Sequence, residues 1–132
     1  MQITRQADYA VRAVLHLAEI KNGGRAPTSK IAAEQHIPPS FLAKIVSQLS
    51  VAGVVQTSRG ARGGVSLARD PSEITLLEVV EAIDGPIQLN ECVNDPKACP
   101  FGAHCKVHDI WCKAQADLVN KLKGVNFASL VI

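Results

Sequence analysis

Four cysteines and a histidine lie close together in the C-terminal half of the sequence. They follow the pattern Cys92-x6-Cys99-x5-Cys105-x2-His108-x3-Cys112, a segment of 21 residues. Thiolates and imidazoles bind transition metals, and thiolates also carry redox chemistry. Structural zinc sites usually contain pairs of cysteines separated by two to four residues, and no such pair occurs here. The segment is therefore the strongest chemical signal in the chain.

The long and uneven spacing of these cysteines favours an iron–sulfur cluster. Such a cluster needs several thiolates around an inorganic core, and a loop containing Pro96, Pro100 and Gly102 can wrap around it. A zinc ion, a thiol switch and inert cysteines remain as alternatives. The expected compartment is the reducing cytoplasm, where clustered cysteines indicate metal or redox chemistry rather than a disulfide framework.

The composition indicates a globular and mostly helical protein. Apolar residues make up 47% and charged residues 20% of the 132 residues, which excludes a chain that is disordered throughout. The aromatic content of 4% argues against a large β-sandwich. No apolar run reaches the roughly 18 residues of a membrane span, and charges interrupt the first twenty residues too often for a secretory signal.

The charge is distributed unevenly between the two halves. Residues 1–70 hold nine Lys/Arg against four Asp/Glu, giving +5, whereas residues 71–132 hold five against eight, giving −3. A basic half favours a polyanionic partner such as nucleic acid. We therefore expect residues 1–70 to bind DNA and residues 71–132 to carry the cysteine loop and an association helix.

Hydrophobic periodicity predicts three helices in the basic half, at residues 3–20, 28–35 and 39–52. This order of elements is typical of a helix-turn-helix: a short helix, a break at His36-Ile37-Pro38, and a longer helix with a polar face. Serine, lysine and glutamine side chains can reach base edges in the major groove, and an aromatic ring can contact a thymine methyl group. The candidate contacts are Ser40, Phe41, Lys44 and Gln48.

A basic hairpin follows the third helix. Residues 54–57 and 65–67 are predicted strands, and a glycine-rich segment that contains Arg59 and Arg62 joins them. Arginines flanked by small residues can approach phosphates or enter a narrow minor groove. The sequence thus predicts a mostly α fold with a small β-hairpin wing, which is a winged helix-turn-helix.

Two further helices are predicted in the acidic half. Thr75 and Glu78 form a capping box, in which each side chain would accept from a backbone amide, and this helix ends at Asp84-Gly85-Pro86. The loop 87–106 holds three cysteines, and a long helix covers residues 107–123. An apolar stripe on this helix indicates a homodimer interface, with packing inside its own subunit as the alternative; the stripe is Ile110, Trp111, Ala114, Leu118 and Leu122.

The sequence gives little support for an enzyme. No carboxylate pair, nucleophile–base set or phosphate-binding motif emerges. Gly60-x-x-Gly63-Gly64 precedes a strand rather than a helix, so it is not a nucleotide-binding loop. An electron-transfer protein would use a cluster, but it would have no need of a winged helix.

Several motifs together resemble the IscR/NsrR-type regulators, the Rrf2 family of winged-helix transcription factors. They are Ile3-Thr4, Asp8-Tyr9-Ala10, the helix-turn-helix, Arg59-Gly60-x-x-Gly63-Gly64 and the three-cysteine loop, and the likeness covers essentially the whole chain. It implies a bacterial, nucleoid-associated homodimer that binds palindromic operators in double-stranded DNA. It also implies that Cys92, Cys99 and Cys105 ligate an iron–sulfur cluster whose presence, redox state or reaction with nitric oxide alters DNA binding.

The resemblance leaves the fourth cluster ligand open. His108 occupies the position of the histidine that completes a [2Fe–2S] site in IscR-type proteins. Asp8 occupies the position of the aspartate that the other subunit supplies to a [4Fe–4S] site in NsrR-type proteins. Cys112 or solvent is a further choice. Without a cluster, the chain would be a thiol-based or zinc-stabilised winged-helix repressor.

Two positions depart from the family pattern. The first intercysteine loop has six residues where many relatives have five, which bears on the geometry of the cluster. His36 stands in the turn where relatives often have glycine. His36 must therefore adopt the backbone conformation of this turn, and a positive φ at His36 is one of the conformations that we expect.

Overall fold

The computed structural model describes residues 2–60, 63–90, 93, 95 and 105–131. The fold is mostly helical with one antiparallel hairpin, as predicted. Short 3-10 helices cover Lys21–Gly23 and Pro71–Glu73. The elements in chain order are α1 (Arg5–Ala18), α2 (Thr28–Gln35), α3 (Pro39–Val51), β1 (Val55–Ser58), β2 (Gly64–Leu67), α4 (Leu76–Asp84), α5 (His108–Lys123) and α6 (Phe127–Leu130).

Helix α1 begins at a threonine cap and lies at the centre of the fold. The Thr4 hydroxyl oxygen accepts from the Ala7 N–H at 3.1 Å, which satisfies one of the amides that a helix start leaves unpaired. The same hydroxyl donates to the Asp84 carboxylate at 2.5 Å, so the start of α1 is tied to the end of α4. The buried face of α1 includes Val14 and Leu17, in agreement with the predicted periodicity.

The helix-turn-helix is formed by α2 and α3. Its turn contains His36, whose φ of 55° and ψ of 44° are left-handed, so the expectation raised by the missing glycine is confirmed. Pro39 occupies the first turn of α3, where its missing N–H costs no hydrogen bond. The buried face of α3 is the predicted one: Leu42, Ile45, Val46 and Leu49.

The wing contains a third segment that the sequence did not reveal. Strands β1 and β2 pair in antiparallel register from Val55 opposite Leu67 to Ser58 opposite Gly64. Ala26 adds a bridge to β2, because its N–H and carbonyl both bond Val65 at 2.9 Å. A Cβ on Gly64 would lie 2.6 Å from the Ala26 carbonyl oxygen, so this close approach requires glycine.

Helix α4 has one half of the predicted capping box. The Thr75 hydroxyl accepts from the Glu78 N–H at 3.1 Å. The Glu78 carboxylate, however, pairs with the Arg69 guanidinium, so its predicted role as a cap is wrong. A guanidinium offers a charge-assisted contact, which is stronger than a bond to a backbone amide.

A single hydrophobic core joins both halves of the chain. Ile74, Val79 and Phe127 belong to the same buried cluster as α1 and α3, and Phe127 is fully buried. The Phe127 N–H donates to the Ile74 carbonyl at 3.1 Å, which brings the chain back to the core after α5. By contrast, α5 has no buried residue. In the described part of the chain, no helix combines the length and apolarity needed to cross a bilayer.

Candidate nucleic-acid interface

The exposed face of α3 carries most of the predicted base-contacting residues. Ser40, Phe41 and Lys44 are all exposed. Gln48 is partly buried, and its Oε1 is shielded from solvent without a hydrogen-bond partner in the described residues, so it lies at the edge of this face. Ser47 is also exposed and, with Ser40 and Lys44, shares one helical face.

Phe41 is anchored by an aromatic contact to α1. Its ring centroid lies 6.3 Å from that of Tyr9 at an interplanar angle of 46°, in the range of favourable aromatic pairs. Tyr9 is buried, whereas Phe41 remains 44% exposed. The contact fixes the amino end of α3 while leaving one side of the Phe41 ring accessible.

The turn of the wing depends on its glycines. Gly60 has a φ of +101°, and the Gly63 N–H donates to the Gly60 carbonyl at 2.9 Å. A Cβ on Gly63 would lie 2.4 Å from the Ser58 carbonyl oxygen. Arg59 is exposed at the start of this turn, as predicted. Arg62 lies outside the described residues.

The Ala26 segment brings two more basic residues into the region of the wing. Arg25 directly precedes the residue that pairs with β2, and Lys30 lies in the first turn of α2; both are exposed. Sequence reasoning missed them because a bridge of one residue leaves no alternating pattern. Arginine and lysine are residue types that commonly contact DNA phosphates.

The cysteine region is described only from Cys105 onward, because Cys92 and Cys99 lie outside the described residues. Cys105 and Cys112 are free thiols, and both are partly buried. His108 begins α5, and its Nε2 lies 3.5 Å from the Cys112 Sγ. No three metal-ligating side chains converge within the described ranges.

Asp8 lies on α1 beside the helix-turn-helix. Its carboxylate forms an ion pair with Arg12, one turn along the helix, and both side chains are about half exposed. The Arg12 Nη1 donates to the Gln35 carbonyl at 3.3 Å, and its guanidinium carbon lies 5.6 Å from the Tyr9 ring centroid. Within this chain, Asp8 is therefore engaged with Arg12.

Comparison with known proteins identifies the family. Residues 3–132 match the Rrf2 model, which is described as an iron-dependent transcriptional regulator. The chain belongs to the Rrf2 family. The IscR protein of Aliivibrio salmonicida, an HTH-type transcriptional regulator, is 30% identical over 132 residues, which cover all of this chain and 78% of the relative.

Solved structures share the fold of this chain. CymR of B. subtilis, described as the global cysteine regulator, matches with a TM-score of 0.78 at 22% identity and covers 100% of this chain and 99% of its own. IscR of T. potens matches with a TM-score of 0.76 at 23% identity and covers 98% and 85%. This Rrf2 protein is therefore a winged-helix transcriptional regulator, from a family of DNA-binding proteins rather than enzymes.

Proposed function

We propose that this Rrf2 protein is a homodimeric regulator whose binding to palindromic operators depends on an iron–sulfur cluster held by Cys92, Cys99 and Cys105. The observation that carries the proposal is the donor set. Cys105 is a free, partly buried thiol three residues before α5, and the imidazole of His108 opens that helix. Thiolates and imidazoles are the ligands that iron accepts in such clusters, so the described donors fit the group.

The fourth ligand is either His108 or the partner's Asp8. His108 lies in the same segment as the cysteines. If His108 is the fourth ligand, the cluster is of the [2Fe–2S] type. If Asp8 is the fourth ligand, the cluster is of the [4Fe–4S] type. Its Oδ2 is paired with Arg12 here, so a cluster would bind through Oδ1 or compete with Arg12 for Oδ2. His108→Ala and Asp8→Asn proteins distinguish the two assignments, because only the variant that lacks the ligand should lose the absorption of the cluster.

For the DNA interface, we assign base contacts to Ser40, Phe41, Lys44 and Gln48, and contacts with phosphates or the minor groove to Arg59 and Arg62. The exposed face of α3 and the exposed Arg59 support this assignment. A module this small makes few phosphate contacts, so specific binding favours two copies on a symmetric site. Residues 1–70 would then read DNA in the cytoplasm, at the nucleoid.

The apolar surface of α5 supports the homodimer. Ile110 is 59% exposed and Trp111 is 39% exposed, although both belong to the predicted stripe. A groove in which Leu118 and Leu122 face Val11 and Leu76 continues this apolar surface towards α1 and α4. Contiguous exposed apolar surface of this kind marks association sites. We therefore assign residues 71–132 to cluster binding and dimerisation.

A short series of contacts links Asp8 to the DNA-facing helix. Arg12 holds Asp8, bonds the Gln35 carbonyl before the turn, and lies over the Tyr9 ring, which in turn contacts Phe41. A change in the Asp8–Arg12 pair would alter the support of both the turn and the amino end of α3. A bound cluster would supply a centre that reacts with oxidants and nitric oxide.

A cluster-free, thiol-based regulator is the second candidate function. The similarity to CymR, a cysteine regulator, and the partly buried thiols of Cys105 and Cys112 favour it. Such a protein would keep its DNA affinity after removal of iron and would respond to thiol oxidation instead. A zinc-stabilised repressor would be colourless and insensitive to oxidants.

The test compares operator affinities. Wild-type protein is first loaded with the cluster in the absence of oxygen and used to select binding sites from a library of random DNA duplexes. The affinity for the selected sites is then measured for the wild-type and Cys92→Ser proteins. A coupling of about 1–3 kcal/mol predicts a roughly 5- to 150-fold difference in affinity. Lys113→Ser, at an exposed residue of α5, leaves all four cysteines and His108 intact and should behave as wild type. Equal affinities of wild-type and Cys92→Ser proteins at every site would contradict the proposal.

A further inference from the structure

His16 is a buried histidine of α1 that contacts the carboxyl end of α2. Its relative exposure is 8%, whereas His36 is exposed and His108 is partly buried. The His16 Nδ1 lies 3.1 Å from the Gln35 Nε2 and 3.5 Å from the Glu34 Oε2. An amide donor and a carboxylate acceptor thus face the same ring nitrogen. Because this nitrogen accepts when it is unprotonated and donates when it is protonated, each protonation state of His16 suits only one of the two partners.

The two partners of His16 lie where α2 turns towards the DNA-facing helix. Gln35 is the last residue of α2 and directly precedes the left-handed turn at His36. The Arg12 guanidinium of α1 also donates to the Gln35 carbonyl, at 3.3 Å. Gln35 is therefore attached to α1 through its backbone and through its side chain. These two contacts fix the point at which the turn to α3 begins.

We propose that neutral His16 is a positioning residue for DNA binding, and that its protonation weakens binding by exchanging Gln35 for Glu34. In the neutral ring the proton is on Nε2, and Nδ1 accepts from the Gln35 amide. A proton taken up from solvent at Nδ1 makes this nitrogen a donor to the Glu34 carboxylate, and the Gln35 amide loses its acceptor. The attachment point on α2 then moves by one residue, about 100° around the helix. The arrangement of the turn that binds DNA becomes less populated, which lowers the apparent affinity.

Charged groups of both signs surround His16. The cavity beside its ring is lined by charged residues from α1, from the segment before α2 and from α2 itself: Glu19, Arg25, Lys30 and Glu34. Arg12 lies one turn before His16 on α1. The two carboxylates favour proton uptake by the imidazole, and the three cations oppose it. Glu34 is within ion-pair distance of Nδ1, so its replacement should make protonation of His16 less favourable.

The experiment compares the affinities of the wild-type and His16→Asn proteins for the selected duplexes between about pH 8 and about pH 5.5, where histidine side chains change charge. The Oδ1 of asparagine is attached to Cγ, as Nδ1 is, so it keeps the acceptor without the titration. We expect equal affinities at the upper pH. At the lower pH the wild type should bind about twofold to tenfold more weakly than His16→Asn, the effect of one hydrogen bond. Glu34→Gln should move this loss to lower pH.

His36→Asn is the matched control, because His36 is exposed next to Gln35 and asparagine tolerates its left-handed backbone. It should keep the pH dependence of the wild type. Nitrogen NMR of the imidazole rings, without DNA, should show the His16 proton on Nε2 alone at the upper pH and on both nitrogens at the lower. A proton on Nδ1 at the upper pH, none there at the lower, or the same pH dependence in wild type and His16→Asn would overturn the proposal. The inference rests on DNA binding by the winged helix; every variant keeps the cysteines, so failure of the cluster proposal changes neither comparison.

Discussion

The winged helix and helix α5 differ in where their apolar side chains lie. In the winged helix, the apolar faces of α1 and α3 are buried in a core that includes Val14, Leu42 and Val54. In α5, no residue is fully buried: Ile110 is 59% exposed and Trp111 39%, while Leu118 and Leu122 are partly buried beside α4. Apolar burial is the main driving force for folding and for association. The first region is thus stabilised by contacts within its own chain, whereas α5 presents a surface suited to a second chain.

This difference separates two kinds of functional residue. The side chains of α3 that we assign to DNA contacts project from a helix that the core holds in place, so their positions are set by folding. His108 and Cys112 lie on a helix with no fully buried residue, so association with a second chain would change their surroundings. In the proposed function, recognition therefore belongs to the region that the core holds in place, and sensing belongs to the region that carries the cysteines.

The largest expected effect is on the core. Phe127→Ala removes a fully buried ring and should lower the free energy of unfolding by about 3–5 kcal/mol, measured by urea denaturation. Leu130→Ala in the same short helix is the control, because Leu130 is 39% exposed. Similar losses of unfolding free energy in both variants would contradict the distinction between the buried core and its surroundings.

The next effect is on association. Ile110→Lys places a charge in the exposed stripe of α5 and should raise the dimer dissociation constant by roughly tenfold to a hundredfold, measured by sedimentation velocity. The comparable change Val51→Lys adds a charge at an apolar residue that is 89% exposed on α3, and it should leave the dimer intact. If Ile110→Lys also left the dimer intact, α5 would not be the association surface.

A smaller effect concerns the wing. Arg59→Ala should weaken DNA binding and reduce the slope of log affinity against log salt by about 1, because one phosphate contact is lost. Lys121→Ala removes an exposed positive charge from α5 and should leave the slope unchanged. Binding is measured by fluorescence anisotropy over a range of salt concentrations. An unchanged slope for Arg59→Ala would show that Arg59 contacts no phosphate and would contradict the assignment of the wing to the DNA interface.

The smallest effect concerns acid stability. The Ser72 backbone N–H and hydroxyl donate to the Asp70 carboxylate at 2.9 and 2.7 Å and lower its pKa below the ordinary value of 3.8. The ionised form therefore stabilises the fold above pH 3.8, and this contribution is lost as the pH falls through the lowered pKa. Asp70→Asn should reduce the acid dependence of unfolding slightly. Equal pH profiles for wild-type and Asp70→Asn proteins would exclude this effect.

Local sequence signals predicted the winged helix well but not its long-range contacts. Pro39 and the apolar spacing of α3 are local signals, and so is the turn at His36. The bridge at Ala26 and the four-residue helix that begins at Phe127 are too short to give a periodic pattern. Glu78 met the spacing of a capping box, yet Arg69, nine residues away, took its carboxylate.

The candidate site was predictable only in part, for the same reason. Spacing identified the cysteines and the exposed face of α3. Helical spacing also allowed an ion pair between Asp8 and Arg12, which the structure contains. It could not show that Arg12 would donate to the Gln35 carbonyl, because that contact requires α1 and α2 to be placed side by side. The fourth ligand stays a prediction, since Cys92 and Cys99, which would bind the same cluster, lie outside the described residues.

The most direct test of the account is an assay of iron and acid-labile sulfide in protein purified without oxygen. A cluster held by Cys92, Cys99 and Cys105 predicts a coloured protein with equal amounts of iron and sulfide, and loss of both in the Cys92→Ser variant. Wild-type protein that contains no sulfide, even after supply of iron and sulfide under reducing conditions, would contradict the central claim.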